Sequence, residues 1–236
     1  NAARGPRGYD EFNQAREAGN YGWPYIVADN KPYRDYDFST NQPGQLFDPN
    51  ALVNDSPNNT GNPNLPPAKP AWVWYPYETS SEFPELGTGQ RTAIAGPVYR
   101  YSASNPSETK FPQYYDNTLF IYEWSRNWIK EIKLDENGMP IKINDFLPNM
   151  EFLRPIDMEM GPDGSLYILE WGTGFGGNNT DSRLTKINYV RGNRSPVAIA
   201  RAEPTSGPLP LTVQFNGEDS FDPDPGEPLN FEWSFE

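Results

Sequence analysis

The most constraining feature of this 236-residue sequence is a series of short segments that alternate with turn signals across its second half. The segments are apolar and β-branched, and the turns include Asp-Glu-Asn-Gly at 135–138 and Gly-Pro-Asp-Gly at 161–164. Such segments predict β-strands. The predicted strands are 93–101, 118–124, 128–134, 141–146, 156–160, 166–171 and 184–190. Many short strands with tight turns predict an all-β fold, as a sandwich, a barrel or a propeller.

Composition agrees with strands joined by irregular loops. The chain contains 26 Pro and 20 Gly, 14% of its residues are aromatic, and helical periodicity is scarce. Residues 42–70 are rich in Asn, Pro, Asp and Gly, which predicts one long loop. Disorder is the competing explanation for so polar a chain, and the aromatic content argues against it.

Charge and cysteine content limit the partners of the chain. Its net charge of −13 argues against binding to nucleic acid or to an anionic membrane surface. No apolar run approaches the length of a membrane span. The chain has no cysteine, so we expect neither disulfides nor thiol chemistry.

Segment 5–24 (GPRGYDEFNQAREAGNYGWP) brings two turns close to two acids. Gly5, Pro6 and Gly8 mark the first turn, Asp10 and Glu11 follow at once, and the second turn spans 19–22. Turn carbonyls and carboxylates are oxygen ligands of the kind that Ca²⁺ takes in proteins. The residues alone leave two alternatives, a calcium site and a solvated polar loop, and chemistry by itself favours the loop.

The same segment resembles the calcium and cofactor segment of the soluble glucose and sorbosone dehydrogenase family, six-bladed β-propellers that use pyrroloquinoline quinone (PQQ). It carries the family's Gly-Pro turn, Asp-Glu pair and Gly-Asn-Tyr-Gly-Trp-Pro run at matching spacing. The resemblance implies that Glu11 supplies a carboxylate to Ca²⁺, while Gly5, Pro6 and Tyr21 supply main-chain carbonyls. Asp10 would be a further ligand or an acid just outside the ligand sphere.

An aromatic block at 72–77 (WVWYPY) precedes small polar residues. Flat rings beside polar groups suit a planar cofactor or a sugar, and a strand core followed by a turn explains the block equally well. In the family an aromatic ring near this place stacks on PQQ. The resemblance makes Trp74 the candidate for that ring and Trp72 the alternate.

Two arginines are further candidates for contact with PQQ, a planar tricarboxylate. A guanidinium can bind a carboxylate through two parallel hydrogen bonds. Arg154 matches a PQQ-binding arginine of the family, although Ile156 stands where some relatives have a second one. The alternative is a surface arginine paired with Glu151 or Asp157. Arg126 lies near the place of a cofactor-contacting lysine and would serve instead of it.

The resemblance divides the chain into two parts. Residues 1–192 include a run typical of propeller blades, GPDGSLYIL at 161–169, and would form about half of a propeller. Residues 195–236 resemble the first half of a PKD domain, an Ig-like β-sandwich. That half would begin with a strand at 195–200 and contain Trp233 as the buried tryptophan. We expect the missing upstream blades and downstream strands in a longer, multidomain protein.

The function that the resemblance implies is calcium- and PQQ-dependent oxidation of a sugar or polyol by an exported bacterial protein, in the periplasm or at the cell surface. The general base of the family is a histidine. Because the chain contains no histidine, the base is expected in the upstream blades, and the electron acceptor stays open. The alternative is a non-catalytic, calcium-stabilised propeller that acts as a scaffold for glycan or protein binding.

Overall fold

The computed structural model describes residues 3–190, 192, 196–222 and 228–235. In these residues the only helical elements are two 3-10 turns, Pro84–Leu86 and Gln113–Tyr115, so the fold is all-β. No helix of the described chain has the length and apolar character needed to cross a membrane. The chain divides into two compact units, Asn1–Tyr189 and Val190–Glu236.

The first unit begins with small antiparallel pairs of strands. β1 (Asp10–Phe12) pairs with β6 (Val73–Tyr75), β2 (Ile26–Val27) with β3 (Lys31–Pro32), and β4 (Arg34–Asp37) with β5 (Gln42–Leu46). The last pair corrects the prediction of one loop over 42–70. Its connection is held by the Asp37 carboxylate, which accepts hydrogen bonds from the main chain and hydroxyls of Ser39 and Thr40. Polar contacts of this kind leave no apolar pattern in the sequence.

Two larger sheets follow in the same unit. β7 (Ala93–Tyr99), β8 (Thr118–Glu123), β9 (Trp128–Leu134) and β10 (Pro140–Asp145) form a four-stranded antiparallel meander. β11 (Pro155–Met160), β12 (Leu166–Glu170) and β13 (Arg183–Ile187) form a three-stranded one. All seven strands predicted here are confirmed, with ends that differ by at most three residues.

The predicted turns connect these strands as their residue types require. The main-chain N–H of Gly138 donates to the Asp135 carbonyl at 3.0 Å, and that of Gly164 donates to the Gly161 carbonyl at 2.9 Å. Gly138 and Gly164 have φ values of 74° and 73°. Glycine adopts this left-handed region without steric cost, which explains its place at both turns.

Strand β8 separates the two main hydrophobic clusters of the unit. Ile121 packs in one cluster with the buried face of the β1–β6 pair. Phe120 and Tyr122 pack in the other cluster, which includes Met158 of β11 and Ile168 of β12. Because neighbouring residues of a strand project from opposite faces, the four-stranded sheet is covered on both sides.

The second unit contains one two-stranded sheet within its described residues. β14 (Arg201–Glu203) pairs with β15 (Gln214–Asn216), and Val197 makes a single bridge to Phe221. The strand predicted at 195–200 is therefore wrong in its described part, while Ser195 lies outside the described residues.

The prediction that Trp233 is buried is also wrong. Its ring lies 5.6 Å from that of Phe215, yet the residue is 40% exposed. The described residues of this unit provide no second sheet that would cover the ring.

Candidate functional site

Glu11 and Trp74 lie directly opposite each other on the β1–β6 pair. Directly opposite residues of an antiparallel pair project from the same face. Phe12, Val73 and Tyr75 occupy the other face and are buried in the core. Strand alternation thus brings the predicted calcium ligand and the predicted stacking ring together, on the face away from that core.

The rings of the two candidate tryptophans have different surroundings. The Trp74 ring meets the edge of Phe83 at 4.9 Å, and the Lys31 ammonium lies 5.8 Å from its centroid. Trp72 packs against the core instead, and its buried Nε1 has no hydrogen-bond partner among the described residues. Trp74 is therefore the better placed of the two for a ligand beside Glu11.

The Glu11 carboxylate keeps capacity to bind a cation. Oε2 accepts a hydrogen bond from the main-chain N–H of Ala28 at 2.7 Å, and Oε1 accepts one from Asn13 Nδ2 at 3.2 Å. Among the described residues, no lysine or arginine forms an ion pair with Glu11. Since a carboxylate offers about four lone-pair sites, two remain for a further ligand.

The described residues contain no group of three His, Cys, Asp or Glu side chains placed to share a metal ion. A Ca²⁺ ion at Glu11 would therefore take its other ligands from main-chain carbonyls, side-chain amides and water, all of which it accepts. Within the described residues, Glu11 would then be the single carboxylate ligand of such an ion, through the lone pairs that Ala28 and Asn13 leave unused.

Asp10 lies on the opposite face of the strand from Glu11. Its Oδ2 accepts a hydrogen bond from the main-chain N–H of Ala93 at 3.0 Å, and Oδ1 lies 3.3 Å from Arg91 Nη1. The carboxylate thus connects β1 to the start of β7 and already has a cationic partner. The structure does not bring Asp10 to the same face as Glu11.

The three residues predicted to offer carbonyls are placed differently. Gly5 has φ of 123°, and a Cβ added there would lie 2.9 Å from the Cα of Tyr33, so only glycine fits. Pro6 lines a cavity together with Tyr33. Tyr21 donates from its hydroxyl to the Gln14 carbonyl at 3.3 Å and does not line that cavity.

The cavity at Pro6 has a volume of about 490 Å³ and a cationic, aromatic lining in an otherwise acidic chain. The Arg91 guanidinium lies 4.2 Å from the centroid of the Tyr77 ring. Burial raises the pKa of Tyr33, the charge of Arg91 opposes this rise, and the charge of Glu11 adds to it. The lining residues are Arg4, Pro6, Arg7, Gly8, Tyr33 and Tyr77.

Arg154 has an unusual local environment. Its guanidinium lies 4.7 Å from the centroid of the Trp124 ring. Its Nη1 atom is buried without a hydrogen-bond partner in the described part of the chain, and the residue forms no ion pair with Glu151 or Asp157. Its main chain is held at φ of 54° by a hydrogen bond from its N–H to Asn127 Oδ1 at 3.0 Å. A buried unpaired donor is costly unless a ligand or water satisfies it.

Arg126 is engaged within the protein rather than free for a cofactor. All five N–H donors of its guanidinium are used by main-chain carbonyls, at distances from 2.7 to 3.0 Å. The group also lies 4.5 Å from the centroid of the Tyr75 ring. The geometry leaves no donor for a cofactor carboxylate, and Arg126 instead holds a loop. The acceptors are the carbonyls of Pro76, Leu86, Gly87, Gly89 and Gln90.

Two buried glutamates also connect neighbouring elements, and neither was predicted from the sequence. Glu123 at the end of β8 accepts a hydrogen bond from the main-chain N–H of Thr92, next to the start of β7. Glu170 at the end of β12 accepts one from the main-chain N–H of Leu153, close to the start of β11. A sequence repeat could have identified both glutamates, because Leu-(Phe/Tyr)-Ile-x-Glu-Trp occurs at 119–124 and again at 166–171.

The electrostatics of the two glutamates differ. Burial raises the pKa of Glu123, although hydrogen bonds from Thr92 and Arg126 oppose the rise. Burial also acts to raise the pKa of Glu170, but hydrogen bonds from Arg183, Thr185 and the main chain of Leu153 together hold it below its ordinary value. Glu170 therefore favours the carboxylate form in the folded protein.

Comparisons of the chain with protein-family models, with curated proteins and with solved structures found no match.

Proposed function

We propose that the first unit belongs to a dehydrogenase that uses Ca²⁺ and PQQ to oxidise a sugar or polyol. The observation that carries the proposal is the pairing of Glu11, which has no cationic partner in the described chain, with Trp74 on one face of β1–β6. Tyr33 lines a cavity of arginines and tyrosines, and the charge of Glu11 raises its pKa. Cationic groups beside flat rings suit a planar anion such as PQQ.

The residues of the proposed site would have separate roles. Glu11 would hold the cation, and the Trp74 ring would offer an apolar face to a planar ligand. The resemblance assigns Arg154 a cofactor carboxylate, which would satisfy its buried Nη1, while its described contacts are with Trp124 and Asn127 rather than with Glu11 or Trp74. When bound, PQQ supplies an acceptor for two electrons that Ca²⁺ polarises as a Lewis acid. The chain has no histidine, so the general base would come from another part of the protein.

We also propose a propeller-like arrangement for the first unit. Two antiparallel meanders carry the same motif, and each places its glutamate at the same main-chain junction. The sheet β7–β10 is covered on both faces, as a blade between two neighbours would be. The PKD-like identity of the second unit and an exported location are proposals that the sequence resemblance supports.

Substitution of Arg154 tests whether this residue contributes to PQQ binding. Arg154→Leu removes the unpaired donor while retaining apolar contact with Trp124, so we expect the affinity for PQQ to fall about tenfold, equivalent to about 1.4 kcal/mol. Arg100→Leu is the matched control, because Arg100 is exposed and bonds only to Asn117 in the described chain. Calorimetric titration of PQQ in the presence of Ca²⁺ measures the difference. Equal affinities of the two variants would remove Arg154 from the site.

The activity itself is tested with a dye-linked oxidation assay. The intact protein is loaded with Ca²⁺ and PQQ and supplied with aldoses and polyols, and dye reduction is followed with and without substrate. The proposal expects reduction that requires substrate, Ca²⁺ and PQQ together. If PQQ binds and no substrate in the panel is oxidised, catalysis is excluded for that panel and the scaffold alternative is favoured.

A further inference from the structure

A second cavity, of about 710 Å³, lies on the first unit between segment 18–25 and the loop at 54–66. Trp23 forms one wall and is 75% exposed, although an exposed tryptophan ring is costly in water. Tyr25 contributes a second ring, which meets the edge of Phe47 at 4.8 Å. The remaining lining residues are Ala18, Gly19, Asn20, Pro24, Asn54, Ser56, Leu65 and Pro66.

The cavity wall is fixed by its own hydrogen bonds. Asn20 donates from Nδ2 to the Pro66 carbonyl at 2.9 Å, and its Oδ1 accepts from the main-chain N–H of Gly22 at 2.9 Å. The main-chain N–H of Leu65 donates to the Leu52 carbonyl at 2.9 Å. The two sides of the cavity are thus tied to each other, and a ligand would meet a wall that is already formed.

Several polar groups of the lining keep unused hydrogen-bonding capacity within the described chain. Asn54 accepts through Oδ1 from the main-chain N–H of Ser56 at 3.2 Å, and its Nδ2 donors have no partner there. Ser56 accepts through Oγ from the main-chain N–H of Asn58 at 3.4 Å, and its hydroxyl hydrogen stays free to donate. The indole N–H of Trp23 and the hydroxyl of Tyr25 also have no partner among the described residues.

The lining offers no charge to pair with a charged ligand. None of the described residues that line the cavity is Asp, Glu, Lys or Arg, so no side-chain charge there would offset the desolvation of an anion or cation. Lys69 lies at the edge next to Gly19, but its ammonium is paired with Glu17 at 2.9 Å. A suitable ligand is neutral, presents an apolar face to a ring and carries several groups that both donate and accept hydrogen bonds.

We propose that this cavity binds a neutral oligosaccharide. A pyranose has an apolar C–H face that can lie on the Trp23 ring, and its hydroxyls can pair with the amide of Asn54 and the hydroxyls of Ser56 and Tyr25. A proline-rich peptide also docks against aromatic rings and its carbonyls can accept from these groups, but it has no N–H to donate to the remaining lone pairs of Asn54 Oδ1, Ser56 Oγ and the Tyr25 hydroxyl, whereas sugar hydroxyls both donate and accept. The polar part of the lining, rather than the rings, favours the sugar.

The site is separate from the proposed PQQ site, because no residue is shared between the linings of the two cavities. Trp23 and Tyr33 meet edge to face at 6.3 Å, which places the two cavities next to each other on the first unit. A bound oligosaccharide would thus be held close to the proposed cofactor without forming part of its site. Binding is measured without Ca²⁺ and PQQ, so failure of one proposal does not decide the other.

The test is calorimetric titration of the protein with cellohexaose, maltohexaose and a decaproline peptide as probes. We expect saturable binding of at least one of the two neutral sugars, and an affinity at least about tenfold lower for both Trp23→Ala and Asn54→Ala. Phe175→Ala is the matched control, because Phe175 is equally exposed, at 76%, and lies outside the cavity lining. The control is expected to bind like the unchanged protein.

Three results would overturn the proposal. The first is no binding of either sugar, and the second is binding of decaproline alone. The third is sugar binding that Trp23→Ala and Asn54→Ala leave unchanged. Asn54→Ala separates loss of the site from misfolding, since it removes a partly exposed amide and leaves the ring in place.

Discussion

Replacement of Arg126 by alanine is expected to lower the free energy of unfolding by about 3 kcal/mol. The guanidinium gives all five of its donors to carbonyls of Pro76 and of the loop at 86–90. A hydrogen bond to a charged group contributes about 1.5–3 kcal/mol when isolated. Five bonds from one group are not additive, and water can reach part of this side chain, so the expected total is far below their sum.

Thermal and urea unfolding followed by circular dichroism measure this loss. A change of about 3 kcal/mol corresponds to a melting temperature lower by about 6–12 °C for a chain of this size. Arg126→Lys keeps the charge but not the planar fork, so it should restore less than half of the loss. The control is Arg100→Ala, an exposed arginine with a single hydrogen-bond partner among the described residues, for which we expect a loss of about 0.5 kcal/mol or less. A similar loss in both alanine variants would contradict the assigned role of Arg126.

Replacement of Glu170 by glutamine is expected to cost about 2–3 kcal/mol at neutral pH. The buried carboxylate accepts from Arg183 Nε at 2.9 Å and Nη2 at 3.0 Å, from the main-chain N–H of Leu153 and from the Thr185 hydroxyl. The NH2 group of a glutamine would face groups that are themselves hydrogen-bond donors. The substitution also removes the negative charge that pairs with Arg183. Urea unfolding at pH 7 measures the difference.

The contribution of Glu170 to stability is expected to decrease at acidic pH. The pKa of Glu170 in the folded protein lies below its ordinary value of 4.5. The stabilisation is therefore fully present above about pH 4.5 and is lost as the pH falls through the folded pKa. Between pH 7 and pH 3, the unchanged protein should lose more stability than Glu170→Gln does. Glu108→Gln, at an exposed position, should follow the unchanged protein at every pH. Parallel pH curves for all three proteins would show that Glu170 has no such role.

The strands were the part of the fold that the sequence predicted best. Strands β7 to β13 are apolar segments separated by turns of Asp, Asn and Gly. Both patterns depend only on residues that are close together in the sequence. The β4–β5 hairpin was missed because its contacts are polar and its strands are largely exposed. The misjudged burial of Trp233 has a similar cause, since burial depends on elements distant in sequence.

The candidate site was predicted from the family resemblance, which singled out Glu11 and Trp74. Strand alternation places these two residues on the same face of β1–β6. The role of Arg126 could not be read from the chain, because its partners are main-chain carbonyls that any residue supplies. The two buried glutamates could have been predicted, because both occupy the same position of the Leu-(Phe/Tyr)-Ile-x-Glu-Trp repeat.

Calorimetric titration of the intact protein with PQQ, in Ca²⁺ and again after chelation, tests the proposed function most directly. We expect saturable binding in Ca²⁺, and an affinity about 100-fold lower after chelation or in Glu11→Gln, equivalent to about 2.7 kcal/mol. Glu17→Gln is the control, because Glu17 is an exposed acid of the same segment, and it should bind PQQ like the unchanged protein. PQQ binding that ignores both Ca²⁺ and Glu11, or no PQQ binding at all, would contradict the proposal.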